Sequence, residues 1–109
     1  MKITPINNTN YLKHGDTASK VELLITDFGG SYVDLTKYAN IKVFIANEKE
    51  TLREIEPTIE ADLGKLSFDF SQVHLLESGT YRLEVRLETE NGDYRTAPSR
   101  KYLSLHITE

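Results

Sequence analysis

Side chains able to do chemistry are few in this chain and stand far apart. Three histidines, His14, His74 and His106, fall on an expected loop, a connector and the outer face of the last strand. A metal centre needs such ligands to converge with an oxygen donor, and their positions predict solvated histidines instead. The run Glu88-Thr89-Glu90-Asn91-Gly92-Asp93 has the acids and glycine of a calcium loop but lacks the alternating ligands and distal glutamate of an EF-hand. Ser78 precedes a glycine without a G-x-S-x-G elbow, and no histidine is placed to serve it. Glu54, Glu56 and Glu60 line one face of an expected strand, whereas glycoside hydrolysis needs two carboxylates facing each other across a cleft. Asn7-Asn8-Thr9 matches a glycosylation sequon, which is expected to go unused because no export signal is expected, and Gly29-Gly30 is too short to cradle a phosphate. The expectation is a non-enzymatic protein with no catalytic residue, no metal and no cofactor.

What positions these groups is a succession of short strands. The clearest runs from Tyr81 to Glu88, where Tyr81, Leu83, Val85 and Leu87 alternate with Arg82, Glu84, Arg86 and Glu88. A period of two places the apolar set on a core and the charges in water. Asn91-Gly92 then predicts a two-residue hairpin loop with both residues at positive φ. That loop sets Thr89 opposite Tyr94, Glu88 opposite Arg95 and, unfavourably, Glu90 opposite Asp93. Before the strand, Glu77-Ser78-Gly79-Thr80-Tyr81 resembles the corner of immunoglobulin-like sandwiches, in which a tyrosine hydroxyl bonds back to the backbone. Leu83 stands where an immunoglobulin domain has its second cysteine, and the chain has no cysteine at all. Gly79, Tyr81, Asn91 and Gly92 are therefore the candidate structural residues.

The same alternation marks Val21, Leu23 and Ile25; Ile41, Val43 and Ile45, with Lys42, Phe44 and Ala46 outside; and Leu66, Phe68 and Phe70. Ile3, Ile6, Tyr11 and Leu12 predict a segment lying along a sheet edge. Ile55, Pro57 and Ile59 predict one edge or bulged strand, since proline cannot donate to a ladder. A single helical turn is expected from Asp34 or Thr36, and another over 71–76. Tyr94, Thr96 and Pro98 are expected to point inward, as are Leu103, Leu105 and Ile107, so one residue should be absorbed around Pro98-Ser99-Arg100. Together these predict an all-β, immunoglobulin-like sandwich of seven to nine short, mainly antiparallel strands, spanning residues 1–109 as a single domain.

Bulk composition narrows the function classes. The chain has 109 residues, 13 basic and 17 acidic, and a net charge of −4 without charge blocks. A nucleic-acid binder normally carries a basic stripe, and none is visible. Apolar clusters such as Leu23-Leu24-Ile25 are far short of a membrane span, and Met-Lys-Ile-Thr-Pro lacks the apolar core of a signal peptide. No nucleic-acid or membrane partner is expected. Phe44 and Tyr102 on outer faces, with Tyr32 and Tyr38 in a loop region, are the interface candidates.

The stretches I-N-N-T-N-Y-L-K-H-G-D-T, V-D-L-T-K-Y-A-N-I-K-V-F-I, D-L-G-K-L-S-F-D-F and E-S-G-T-Y-R-L-E-V-R-L-E-T-E-N-G-D, in this order, resemble the N-terminal domain of phage baseplate upper proteins. The resemblance runs from about Ile6 to Ile107. It implies a structural module of a phage or prophage tail, docking onto other tail or baseplate proteins through edge strands or loops and assembling with further copies in the full assembly. It also implies a place in the virion after assembly in the bacterial cytoplasm. Ending at Glu109, the sequence reads as an excised domain or a short stand-alone relative. The rival expectation is a carbohydrate-binding or adhesin-type sandwich module, although such modules often expose tryptophan and this chain has none.

Overall fold

The fold follows from the alternation that marks each strand. A computed structural model describes residues 1–13, 19–60, 64–69, 71 and 76–108. Ten strands are described: β1 (Lys2–Pro5), β2 (Tyr11–Lys13), β3 (Lys20–Thr26), β4 (Asn40–Ala46), β5 (Thr51–Ile55), β6 (Thr58–Glu60), β7 (Lys65–Asp69), β8 (Gly79–Glu88), β9 (Tyr94–Ala97) and β10 (Leu103–Thr108). They build an all-β sandwich. A four-stranded sheet has the order β1-β3-β7-β6, and a six-stranded sheet the order β2-β10-β8-β4-β5, with β9 also on β8. The first matches the A-B-E-D sheet and the second contains the G-F-C sheet of immunoglobulin-like folds.

Between the sheets the expected apolar sets meet. Val21, Leu23 and Ile25 from β3 face Val43 and Ile45 from β4, Leu83, Val85 and Leu87 from β8, and Leu105 from β10, all fully buried. Burying each such side chain is worth roughly 1.5–3 kcal/mol. Leu83, at the position of an immunoglobulin domain's second cysteine, is fully buried in this aliphatic core. The corner holds as expected: the Tyr81 hydroxyl donates to the Glu77 carbonyl at 2.5 Å.

The N-terminal segment lies along both sheet edges. β1 pairs antiparallel with β3, and β2 pairs parallel with β10. Asn7 and Asn8 turn the chain between the two at φ 53° and 55°, a region asparagine tolerates better than most residues. Thr9 fixes the crossing, its hydroxyl donating to the Glu22 carbonyl and accepting from the Glu22 amide. Asp34 caps the single 3-10 turn Leu35–Lys37 by accepting from the Thr36 amide. The turn expected over 71–76 falls largely outside the described residues, as do His14, His74 and Phe70.

Three expectations require correction. The hairpin after β8 is longer than Asn91-Gly92: Glu88 faces Tyr94 and Leu87 faces Arg95. Gly92 alone takes positive φ, at 86°, while the Gly92 amide donates to the Thr89 carbonyl and the Thr89 amide to the Asp93 carbonyl. A turn over Thr89–Gly92 closed by a left-handed glycine is the alternative loop geometry, which needs only one positive-φ residue. This one-residue difference reverses the faces of β9, because side chains alternate. Ala97 is therefore the buried residue, whereas Tyr94 is 58% exposed, and the Tyr94, Thr96, Pro98 inward set does not hold. No parity change is then needed before β10, since Val85 pairs with Ala97 and Leu83 with Leu103. The intervening Pro98–Tyr102 loops out as a wide interruption of one edge. Finally, the Ile55–Ile59 stretch is two strands: β5 pairs with β4 and β6 with β7, because Pro57 ends one ladder and lets the chain change sheets.

Candidate functional site

The outer face of the six-stranded sheet brings Arg82 and Arg86 against the rings of Phe44, Tyr94 and Tyr102. Arg82 and Arg86 leave the same side of β8, the face opposite Leu83, Val85 and Leu87. The one-residue shift in the hairpin brings Tyr94 beside Arg86: its guanidinium carbon lies 4.6 Å from the Tyr94 ring and 4.5 Å from the Phe44 ring on the other flank. Both rings are diagonal neighbours of Arg86, since Phe44 pairs with Glu84 and Tyr94 with Glu88. Arg82 lies 4.7 Å from the centre of the Tyr102 ring. Farther along, Tyr11 stacks on His106 at 4.5 Å between ring centres, and His106 Nδ1 is 3.2 Å from the Thr80 hydroxyl.

Electrostatically the face is divided. Lys42 on β4 pairs with Glu54 on β5 at 2.8 Å, and the hydrogen bond that its ammonium donates to that carboxylate raises the Lys42 pKa above its ordinary value. Neither guanidinium makes an ion pair or a hydrogen bond among the described residues; the ion pairs among them are Lys42–Glu54, Lys65–Glu22 and Lys65–Glu60. A guanidinium stacked on a ring keeps its edge N–H groups for other acceptors. At the end of the face near the β4–β5 turn lies a cleft of about 500 Å³. It is lined by Thr80, Tyr81 and Arg82 of β8, Ser104 of β10, Asn47–Lys49 of the turn and Tyr102. Asn47 shapes the turn by accepting from the Lys49 and Glu50 amides.

The four aromatic interface candidates do not form one patch. Phe44 and Tyr102 lie on this face, each against an arginine. Tyr32 is bridged to Thr26 beside the other sheet, and Tyr38 is partly buried against the core. Of the structural candidates, Tyr81 makes the corner bond, Gly79 opens β8 opposite Ile107, Gly92 closes the hairpin, and Asn91 sits in its loop without positive φ. Sequence reasoning missed Arg82, Arg86, Tyr94 and Tyr11. The available signal was outward arginines on one strand with outward aromatics on its neighbours, and it could be read only with the correct register. Burial raises the Tyr81 pKa, and the Glu77 carboxylate raises it further against an opposing effect of Arg53.

No family model and no curated protein matches the sequence. Among the described residues no group of three or more His, Cys, Asp or Glu side chains could hold a metal ion, and no helix is long and apolar enough to cross a membrane. The arrangement is suited to binding: planar cations held on rings beside a polar cleft.

Proposed function

We propose that this chain is a non-enzymatic structural module of a phage or prophage tail or baseplate that docks to other tail proteins. The order of its sequence motifs, which resembles phage baseplate upper proteins, supplies the tail context. The observation that carries the docking reading is the pair of arginines stacked on Tyr102, Phe44 and Tyr94 without carboxylate partners among the described residues. Arginine and tyrosine are, with tryptophan, enriched at the energetic centre of interfaces, and ring stacking restricts the guanidinium before a partner arrives, which lowers the entropy cost of binding. Further copies join it in the assembled virion.

Co-expression of the chain with the products of neighbouring tail genes tests this reading. The expected result is a monomeric or weakly associating chain alone and a stable complex with a tail protein, lost in the Arg82→Glu, Arg86→Glu double variant. A tight dimer through the Phe44 face in the absence of any partner would overturn it. Saccharide binding that depends on Tyr32 or Tyr38 would favour the carbohydrate-binding alternative.

A further inference from the structure

We infer that the cleft between the β4–β5 turn and Tyr102 is a carboxylate-binding site, taking the acidic side chain of a protein partner. Arg82 is the anchor. Its guanidinium lies against Tyr102 and has no ion pair or hydrogen bond among the described residues, and it lines a cleft of about 500 Å³. That volume leaves room for a carboxylate side chain beside the guanidinium. The fork of N–H donors on arginine matches the two oxygens of a carboxylate. Around it the lining supplies hydroxyls from Thr80, Ser104 and Tyr102, of which the Thr80 hydroxyl is already engaged with His106.

Charge selects the ligand. The lining contains two cations, Arg82 and Lys49, and one anion, Glu48, leaving a surplus of one positive charge. A monoanionic carboxylate balances that surplus, whereas a phosphate dianion would be left partly uncompensated in a chain whose net charge is already −4. The cleft continues onto the arginine–aromatic face, so a chain docked on that face can deliver a glutamate or aspartate into it. The choice of a protein side chain over a free acid rests on the docking reading; the carboxylate site itself does not.

The test is a titration of the full chain, followed by the Arg82 Nε–H and the Thr80 and Ser104 amide resonances. The probes are a blocked Gly-Glu-Gly peptide, its glutamine counterpart and acetate. The glutamate peptide should shift these resonances saturably with Kd on the order of 10 mM or tighter. The glutamine peptide, and the Arg82→Gln variant with the glutamate peptide, should each bind at least about tenfold more weakly. Arg82→Lys should fall between, because it keeps the charge and loses the fork. Lys65→Gln, on the other sheet and outside the cleft, should bind as the parent chain does. Equal shifts with both peptides, no saturation, or full binding by a folded Arg82→Gln variant would overturn the site. Acetate binding as tightly as the peptide would overturn the choice of a protein side chain. Peptide binding without any tail complex would leave the site and remove the docking reading; a tail complex indifferent to Arg82→Gln would do the reverse.

Discussion

Lys65 on one outer face of the sandwich and Arg82 and Arg86 on the other are met by different partners. On the four-stranded sheet Lys65 lies 3.1 Å from Glu22 and 3.9 Å from Glu60, so its charge is met within the same face. The Glu22 hydrogen bond raises its pKa, with that carboxylate's charge and then Glu60 adding to the effect. On the six-stranded sheet Arg82 and Arg86 are met by rings, which attract the cation but accept no hydrogen bond in the guanidinium plane. Lys65 is met by carboxylates, and the two guanidiniums hold donors to spare. Cations of one sandwich can thus be either satisfied or waiting, and the partner of each separates the two.

That contrast assumes that both faces rest on one equally packed core. Leu83→Ala beneath the arginine face and Leu23→Ala beneath the lysine face should each cost about 2–5 kcal/mol in urea unfolding. A much smaller cost at either site would mean that the two sheets are not supported alike. Next in size is Gly64→Ala, which acts on the four-stranded side. Gly64 has φ 63°, and an added Cβ would come within 2.7 Å of the Ile25 carbonyl and 3.1 Å of the Val33 carbonyl. The expected loss is about 2 kcal/mol or more, read from the same unfolding curves.

Tyr81→Phe removes the corner bond and should cost about 1 kcal/mol. The native environment holds the Tyr81 pKa above its ordinary 10.0, so the unfolded chain loses this proton first as pH rises. The hydroxyl's contribution is therefore full below about pH 10 and is lost as pH climbs through the folded value. Thermal melts of parent and variant should differ at neutral pH and converge on the alkaline side. A constant gap across that range would remove the titration from the account.

The smallest effects compare the faces directly. Arg86→Gln should lose about 0.5–1 kcal/mol from its ring contacts, with little response to added salt. Lys65→Gln should lower the melting temperature less, and the difference should shrink at high ionic strength, since exposed ion pairs are screened. Equal salt sensitivity in the two variants would erase the distinction between the faces.

Much of the fold was legible because burial alternates where composition alternates: Ile41, Val43 and Ile45 could point only one way if Lys42 was to stay wet. The Tyr81 corner was legible for a local reason, as donor and acceptor are four residues apart. The β8–β9 register was not, because Asn91-Gly92 fits two loop geometries and only the surrounding sheet selects the one with Gly92 left-handed. That single choice carried the site with it. In the expected register Tyr94 points into the core, and Arg86 has no ring on that side. The division at Pro57 was half legible: proline announces an edge, but which sheet receives Thr58–Glu60 depends on the partner strand β7. The cleft depends on the Pro98–Tyr102 loop presenting Tyr102 to Arg82, a contact for which the strand pattern holds no trace.

The parallel pairing of β2 with β10 has a mechanical side. His106 faces Tyr11 and Thr108 faces Lys13, so β2 is entered at the end of the pair opposite to where β10 is left. Tension along the chain therefore pulls these strands past each other rather than peeling them apart. Their bonds, including His106 amide to Asn10 carbonyl at 2.8 Å and Thr108 hydroxyl to Leu12 carbonyl at 3.2 Å, share the load at once instead of failing one by one. The Thr9–Glu22 bonds and the β1–β3 ladder stand in series before them. Stretched from its ends, the sandwich should yield abruptly at a high force and not by gradual fraying.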